Sequence, residues 1–334
     1  MPPEEELGLD IRFLSPTAVV RHSASELPAL LGRDDGLVWV DIPTWDAEAE
    51  RVLADVFKLH PLAVRDCRER NMVPKVHVYP DHVFVVLHAP EMGERGHVHY
   101  VELDQFIGRN YLVTVHGPLN PAVSLDAAMV EVRAVLGRIE SGRLRPTSSY
   151  RLSHAIVSAL AARLRDHTAS LTREVWSLEQ RVTAGQLGDP EQFLEEMFRT
   201  RNGLLTARTI CALSREVYGR MATIAAFRDE GQSYVEDIVD QFDRLGAMAE
   251  AQKDYLQGTI EFYQARTNTK MTIAAERLAV IAAVTLPITA LSSILGMNVI
   301  VSESTHFGLL LMALVVMLVM SASLLVWARR KGWW

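Results

Sequence analysis

Along the first third of the chain, apolar residues recur at alternate positions in five short stretches: GLVWVDI over 36–42, PKVHVY over 74–79, HVFVVLH over 82–88, HVHYVELDQFIG over 97–108 and NYLVTVH over 110–116. A period of two predicts β-strands. Pro80-Asp81 and Arg109-Asn110 fall between neighbouring stretches and predict tight turns. A helical pattern over 45–60 interrupts the strands, so the domain is expected to mix α and β. From about Asn120 the period lengthens to three and four residues, which predicts long helices over 149–185 and 190–221. Gly185 and Pro190 punctuate them as a stop and a new start, the signature of an antiparallel pair. A third helix is expected to begin near Ser233 and, with no proline before Pro287, to run on unbroken as a stalk. Some sixty residues at 1.5 Å each reach about 90 Å. Gly246 and Gly258 weaken that helix locally, by about 1 kcal/mol each relative to alanine.

The polar pattern then stops. No charged residue occurs from Leu278 to Ser302 or from Ser304 to Ala328. Each window holds a run of about 18 or more predominantly apolar residues, enough to cross roughly 30 Å of hydrocarbon as a helix. Arg266, Lys270 and Arg277 precede the first window and Arg329, Arg330 and Lys331 follow the second, while the linker between them has no Lys or Arg. The positive-inside rule therefore places both termini in the cytoplasm and the linker outside a cell membrane.

Composition narrows the function. The formal net charge of -7 over 334 residues offers no basic face for nucleic acid and suits cationic partners. Cys67 and Cys211 stand far apart with no CxxC, which fits a reducing compartment and no disulfide framework. The opening MPPEEELGLD has no apolar core, so a cleaved secretory signal is not expected. No P-loop or HExxH pattern occurs, and an enzyme is not expected. His77, His82, His88, His97 and His99 crowd the strand region without tight ligand spacing and read as polar side chains on strand surfaces. His306, in the outer linker, stands apart from them. Asp240, Asp243, Glu250 and Asp254 read as a solvated helix face.

Gly296-Met297-Asn298 at the outer end of the first apolar helix, a linker of under ten residues and the basic tail RRKGWW together resemble the CorA family of divalent-cation channels. HPLAVRDC (60–67), PKVHVYPDHVFVVL (74–87), FIGRNYLVTVH (106–116), YVEDIVDQ (234–241) and LPITALSSILGMN (286–298) follow in the family's order. A lone GMN tripeptide carries no weight; in this order it is specific. The resemblance implies an α+β cytosolic domain followed by long helices and two C-terminal transmembrane helices, assembled as a funnel-shaped homopentamer in the bilayer. The expected division is a cytosolic α/β domain over 1–120, long antiparallel helices over 121–230, a stalk over 231–277, a first membrane helix over 278–298, an external loop over 299–306, a second membrane helix over 307–328 and a basic tail over 329–334.

In such a pentamer the first membrane helices ring a pore. Stepping back from the signature at helical intervals gives Ser293, Thr289, Leu286, Ala282, Leu278, Ala275, Asn268 and Glu261 on one face. Small and hydroxyl-bearing residues suit a narrow pore, with Leu286 and Leu278 as a constriction that closes by dewetting. The same residue types also suit close helix packing. Gly296, Met297 and Asn298 would form the selectivity filter, since Mg²⁺ sheds water reluctantly and uncharged amide oxygens grip its water shell without trapping it. Glu303, the loop's one acid, would concentrate cations at the mouth. By motif position, Asp66 and Asp237 match the acids through which cytosolic divalent ions bridge subunits and hold the pore shut.

Three departures leave the ion open. Leu295 stands where an aromatic often precedes the signature, Arg65 where a glutamate is frequent, and the loop lacks the usual Met-Pro-Glu run. The expected function is passive Mg²⁺ uptake, with Co²⁺ or Ni²⁺ as further cargo. Its alternatives are a Zn²⁺ transporter of the related zinc-handling branch, with proton coupling, and a membrane-tethered scaffold.

Overall fold

The computed structural model of the chain describes residues 8–93, 97–118, 120–224, 227, 230–296 and 307–331. Two compact units divide it, Met1–Gly258 and Thr259–Trp334.

In the first unit, seven strands form one sheet: β1 (Asp10–Leu14), β2 (Val19–His22), β3 (Leu37–Ile42), β4 (Lys75–Val78), β5 (His82–Met92), β6 (Val98–Gly108) and β7 (Tyr111–Val115). Their order is β2-β1-β3-β7-β6-β5-β4. Only the β3 and β7 pairing is parallel; the others are antiparallel. Every residue of β3 is buried, as a strand covered on both faces requires. One face packs under α1 (Leu27–Leu31), α2 (Ala47–Arg51) and α3 (Pro61–Arg68), with Leu53, Val64 and Cys67 against Val40, Phe84 and Phe106. On the other face α4 (Leu125–Ala128), α5 (Val130–Glu140), α6 (Ser149–Ala184) and α7 (Pro190–Met221) cover Trp39, Val85 and Leu112. A helix–sheet–helix sandwich results.

Local chemistry explains the long helices. Ser148 accepts the Arg151 N–H at the start of α6, and Gly185 ends it in the left-handed region at φ 74°. Asp189 then caps α7 by accepting the N–H groups of Glu191 and Gln192, with Pro190 in the first turn. A Cβ on Gly203 would lie 2.8 Å from Leu171 Cδ2, so this glycine is what lets α7 approach α6 closely.

Several expectations are corrected. Strands β1 and β2 had no counterpart in the alternation pattern; β2 is an edge strand whose Val19 and Val20 face solvent, so its pairing is a matter of backbone alone. The helix expected over 45–60 is shorter. It is α2, continued by a π-helical turn over Val52–Val56 and halted at Lys58, whose φ is 55°. Pro61, which cannot extend a preceding helix, starts α3 instead, capped by His60 Nδ1 accepting the Leu62 N–H. Strand β5 runs on through Pro90 to Met92; β4 ends opposite Val86, so proline meets no ladder partner on that side.

α8 (Gln232–Gly296) is a single helix of 65 residues. Its first part belongs to the first unit, where Val235, Ile238, Phe242, Leu245 and Ala249 enter the core at helical spacing. The acids read as a solvated face are partly engaged: Asp243 takes Arg215 at 2.8 Å and Glu250 takes Arg208 at 2.5 Å, both from α7. Being exposed, each such pair contributes at most about 1 kcal/mol.

The second unit holds the rest of α8 and α9 (Phe307–Arg330). Both are long and apolar enough to cross a membrane. Leu278, Ile281, Leu286, Ile294, Leu310 and Leu318 are each more than half exposed. A continuous apolar surface of that extent needs lipid or protein around it, and helices satisfy their own backbone groups as hydrocarbon demands. Pro287 interrupts this only at the Ala283 carbonyl, which loses its N–H partner.

Candidate ion pathway and cytosolic acidic sites

At about 100° per helical residue, Ser293, Thr289, Leu286, Ala282, Leu278, Ala275, Asn268 and Glu261 share an arc of about 100° on α8. All eight are exposed. On the opposite side, Val280, Val284, Pro287, Ile288 and Leu291 are covered or half-covered, and α9 has a similar series, half-covered at Ala313, Met317, Met320, Ser321 and Leu324 and buried at Ala328. The candidate face is exposed within the chain, as is most of the helix surface outside that covered stripe, Ile281, Ser292 and Ile294 included.

Its hydroxyls have a defined polarity. Thr289 Oγ1 donates to the Thr285 carbonyl at 2.8 Å, and Thr285 Oγ1 to that of Ile281 at 2.8 Å. With the proton committed to the helix backbone, Thr289 presents lone pairs outward. An acceptor is what the outward-pointing hydrogens of a water-clad cation meet well. Gly296 is the last residue of α8; Met297, Asn298, Glu303 and His306 lie outside the described residues.

Asp66 sits on α3 and Asp237 in the first turns of α8. Among the described residues no hydrogen bond or ion pair joins them; each is held by a basic side chain of its own. Lys75 Nζ lies 2.6 Å from Asp66 Oδ2. His154 Nε2 lies 2.7 Å from Asp237 Oδ2, which also accepts from Gln241 Nε2 at 2.5 Å. The His154 hydrogen bond holds the Asp237 carboxyl below the ordinary carboxylate range. Among the described residues, Oδ1 of either acid accepts no hydrogen bond, which leaves one oxygen of each for a further cation. No three His, Cys, Asp or Glu side chains gather in metal-ligating geometry among the described residues. A divalent ion on these acids therefore needs water or a second copy of the chain to complete its shell.

Two histidines read as surface residues are buried. His82 stacks on Tyr79 and tilts against Phe106, with Nδ1 2.7 Å from Asp81, and His88 Nε2 donates to the Asn71 carbonyl at 2.7 Å. Burial lowers the pKa of both, so they are neutral core rings.

Sequence reasoning missed a polar cluster beneath Asp66. Glu102 and Asp104 of β6 face α3 from inside the sandwich and are 8% and 0% exposed. Glu102 accepts both the Asn71 N–H, at 2.8 Å, and its Nδ2, at 2.5 Å. The buried Asp104 carboxyl lies against the Glu102 carboxyl and the Cys67 thiol. Burial, reinforced by Glu102, pushes the Asp104 carboxyl well above the ordinary carboxylate range, so it keeps its proton to a higher pH than an exposed aspartate would. The only signal was two acids at alternate positions in an otherwise apolar run.

A sign follows for stability. Below about pH 4 Asp104 is protonated folded and unfolded alike; as pH rises, the unfolded chain releases that proton first, and the native state loses stability toward the raised folded pKa. Asp104→Asn removes this titration while keeping the shape. The variant is expected to melt a few degrees above the parent at pH 8, with the gap closing toward pH 4; melting curves across pH check it, and an offset that does not change with pH would contradict it.

Comparison with known proteins fits this architecture. A family model described as CorA-like Mg2+ transporter protein matches residues 34–330. YfjQ of Bacillus subtilis (strain 168) is 24% identical over 302 residues, covering 88% of this chain and 89% of that protein. The cobalt/magnesium transport protein CorA of Thermotoga maritima is 24% identical over 274 residues, covering 77% of this chain and 73% of its own. The complete structure of the CorA magnesium transporter from Methanocaldococcus jannaschii shares the fold at a TM-score of 0.79, with 16% identity over 98% of both chains. The family model spans the chain from the loop before β3 to the last turn of α9, and the chain belongs to the CorA-like Mg2+ transporter family.

Proposed function

We propose that the chain forms a homopentameric channel for passive, potential-driven uptake of Mg²⁺, with Co²⁺ or Ni²⁺ as further cargo. The observation that carries this reading is the bare, charge-free face of α8 within the bilayer-length segment, running from Leu278 through Leu286 and Thr289 to Ser293. Five such faces around an axis make a narrow conduit of lone pairs and aliphatic constrictions, closed by a ring of Gly296, Met297 and Asn298 at the outer end. Asn298 amide oxygens accept hydrogen bonds from the ion's water shell; neutral oxygens bind firmly enough to select and weakly enough to release. Glu303 raises the cation concentration at the mouth, and Glu261 offers a cation station further in.

No chemical energy source is needed. Two positive charges moving inward through about 100 mV release about 4.6 kcal/mol, more than three decades of concentration ratio. That drive requires a brake. Asp66 and Asp237 supply it: across a subunit boundary, empty carboxylates repel, and a cytosolic divalent ion converts the repulsion into a clamp. Loss of the ion frees the subunits to tilt and shifts the population toward an open pore. The cytosolic placement of both termini follows from the basic flanks.

The test is uptake into liposomes holding an ion-sensitive dye under an imposed negative-inside potential. Mg²⁺ influx that grows with the potential and ignores a pH gradient is the expected result. Zn²⁺ influx that follows the pH gradient would replace this reading with the zinc-transporter one, and no flux at all would leave the scaffold.

A further inference from the structure

We propose that Lys75 is a tethered cation that competes with the regulatory divalent ion for Asp66, held in place by Asn71 on the buried Glu102. The inference rests on the reading of Asp66 as a regulatory ligand and adds a residue that tunes it.

Its basis is a continuous hydrogen-bonded chain. Lys75 Nζ donates to Asp66 Oδ2 at 2.6 Å and to Asn71 Oδ1 at 2.5 Å. Asn71 in turn is fixed at several of its polar groups: Nδ2 and the main-chain N–H go to Glu102, Nδ2 also reaches the Asp66 carbonyl at 2.9 Å, and the Asn71 carbonyl accepts from His88. Lys75 is therefore not a waving surface lysine. It stands on β4 in register with Val86, and its side chain and that of Asp66 are 28% and 21% exposed, so water screens the pair only in part.

A hydrated divalent ion approaching Asp66 meets an ammonium already seated on one carboxylate oxygen. It must displace that group or bind beside a like charge. Either way the apparent affinity falls, and the gate closes at a higher internal concentration than a bare aspartate would set. Asn71 and Glu102 matter because they prevent Lys75 from swinging into solvent and leaving the carboxylate bare.

Calorimetric titration of the full-length protein in detergent with Mg²⁺ reads binding directly, apart from transport. Lys75→Met is expected to tighten the Asp66-dependent dissociation constant by about five-fold, the effect of removing one partly exposed ion pair. Asn71→Ala should move it in the same direction by less, and Lys75→Arg, which keeps the charge, should restore the parent value. In an Asp66→Ala background, Lys75→Met should have no effect. Unchanged or weakened binding in Lys75→Met, while Asp66→Ala abolishes that binding phase, overturns the inference and leaves Asp66 as a ligand. If Asp66→Ala itself leaves binding intact, the reading of Asp66 falls, and the role of Lys75 falls with it.

Discussion

Uptake by the double variant Asp66→Ala, Asp237→Ala is expected to continue at internal Mg²⁺ concentrations that silence the parent. Both acids are reachable, with side chains 21% and 49% exposed, and each keeps one carboxylate oxygen clear of the basic residue that holds the other. An ion bound there contributes only its preference for the closed arrangement, and coupling of this kind is typically about 1–3 kcal/mol per site. Repeated around the proposed pentamer, that preference would decide the state of the gate. Removing both acids should shift half-inhibition by internal Mg²⁺ at least about ten-fold, with Asp237→Ala alone giving part of the shift. Dye-loaded liposomes prepared over a series of internal Mg²⁺ concentrations measure it. An unchanged midpoint would remove the regulatory assignment and leave the pore assignment standing.

How much of this was legible depends on the range over which each signal acts. Strands β3 to β7 announced themselves because alternation and the Pro80-Asp81 and Arg109-Asn110 turns are local. So did α8, since an unbroken helix needs only the absence of proline before Pro287. A period of two, by contrast, says which residues share a face and not whether that face is covered. His82 and His88 therefore read as polar side chains on strand surfaces, and Glu102 and Asp104 drew no reading at all, although helices pack on both sides of the sheet. The bonds from Arg208 to Glu250 and from Arg215 to Asp243 depend on how α7 lies along α8, which composition does not encode. Lys75 and Asn71 were invisible for the same reason: their meaning comes from a loop folding back over β6.

The proposed outer ring is where the largest effect is expected. If a water-clad ion is recognised by amide oxygens, Asn298→Ala removes the acceptors while leaving the apolar helices and the cytosolic unit untouched. Leu286 and Leu278, the proposed constriction, offer no side-chain oxygen in compensation. Asn298→Asp would keep oxygens but add a ring of charge, and is expected to bind the ion more firmly and pass it more slowly. The decisive measurement is the initial rate of Mg²⁺ uptake into potential-clamped liposomes by the parent and by Asn298→Ala at equal protein density. At least a ten-fold loss, with an unchanged melting temperature, is the result this account predicts; on the order of ten-fold corresponds to losing about 1.4 kcal/mol of ion recognition. Equal rates in the two proteins would contradict it.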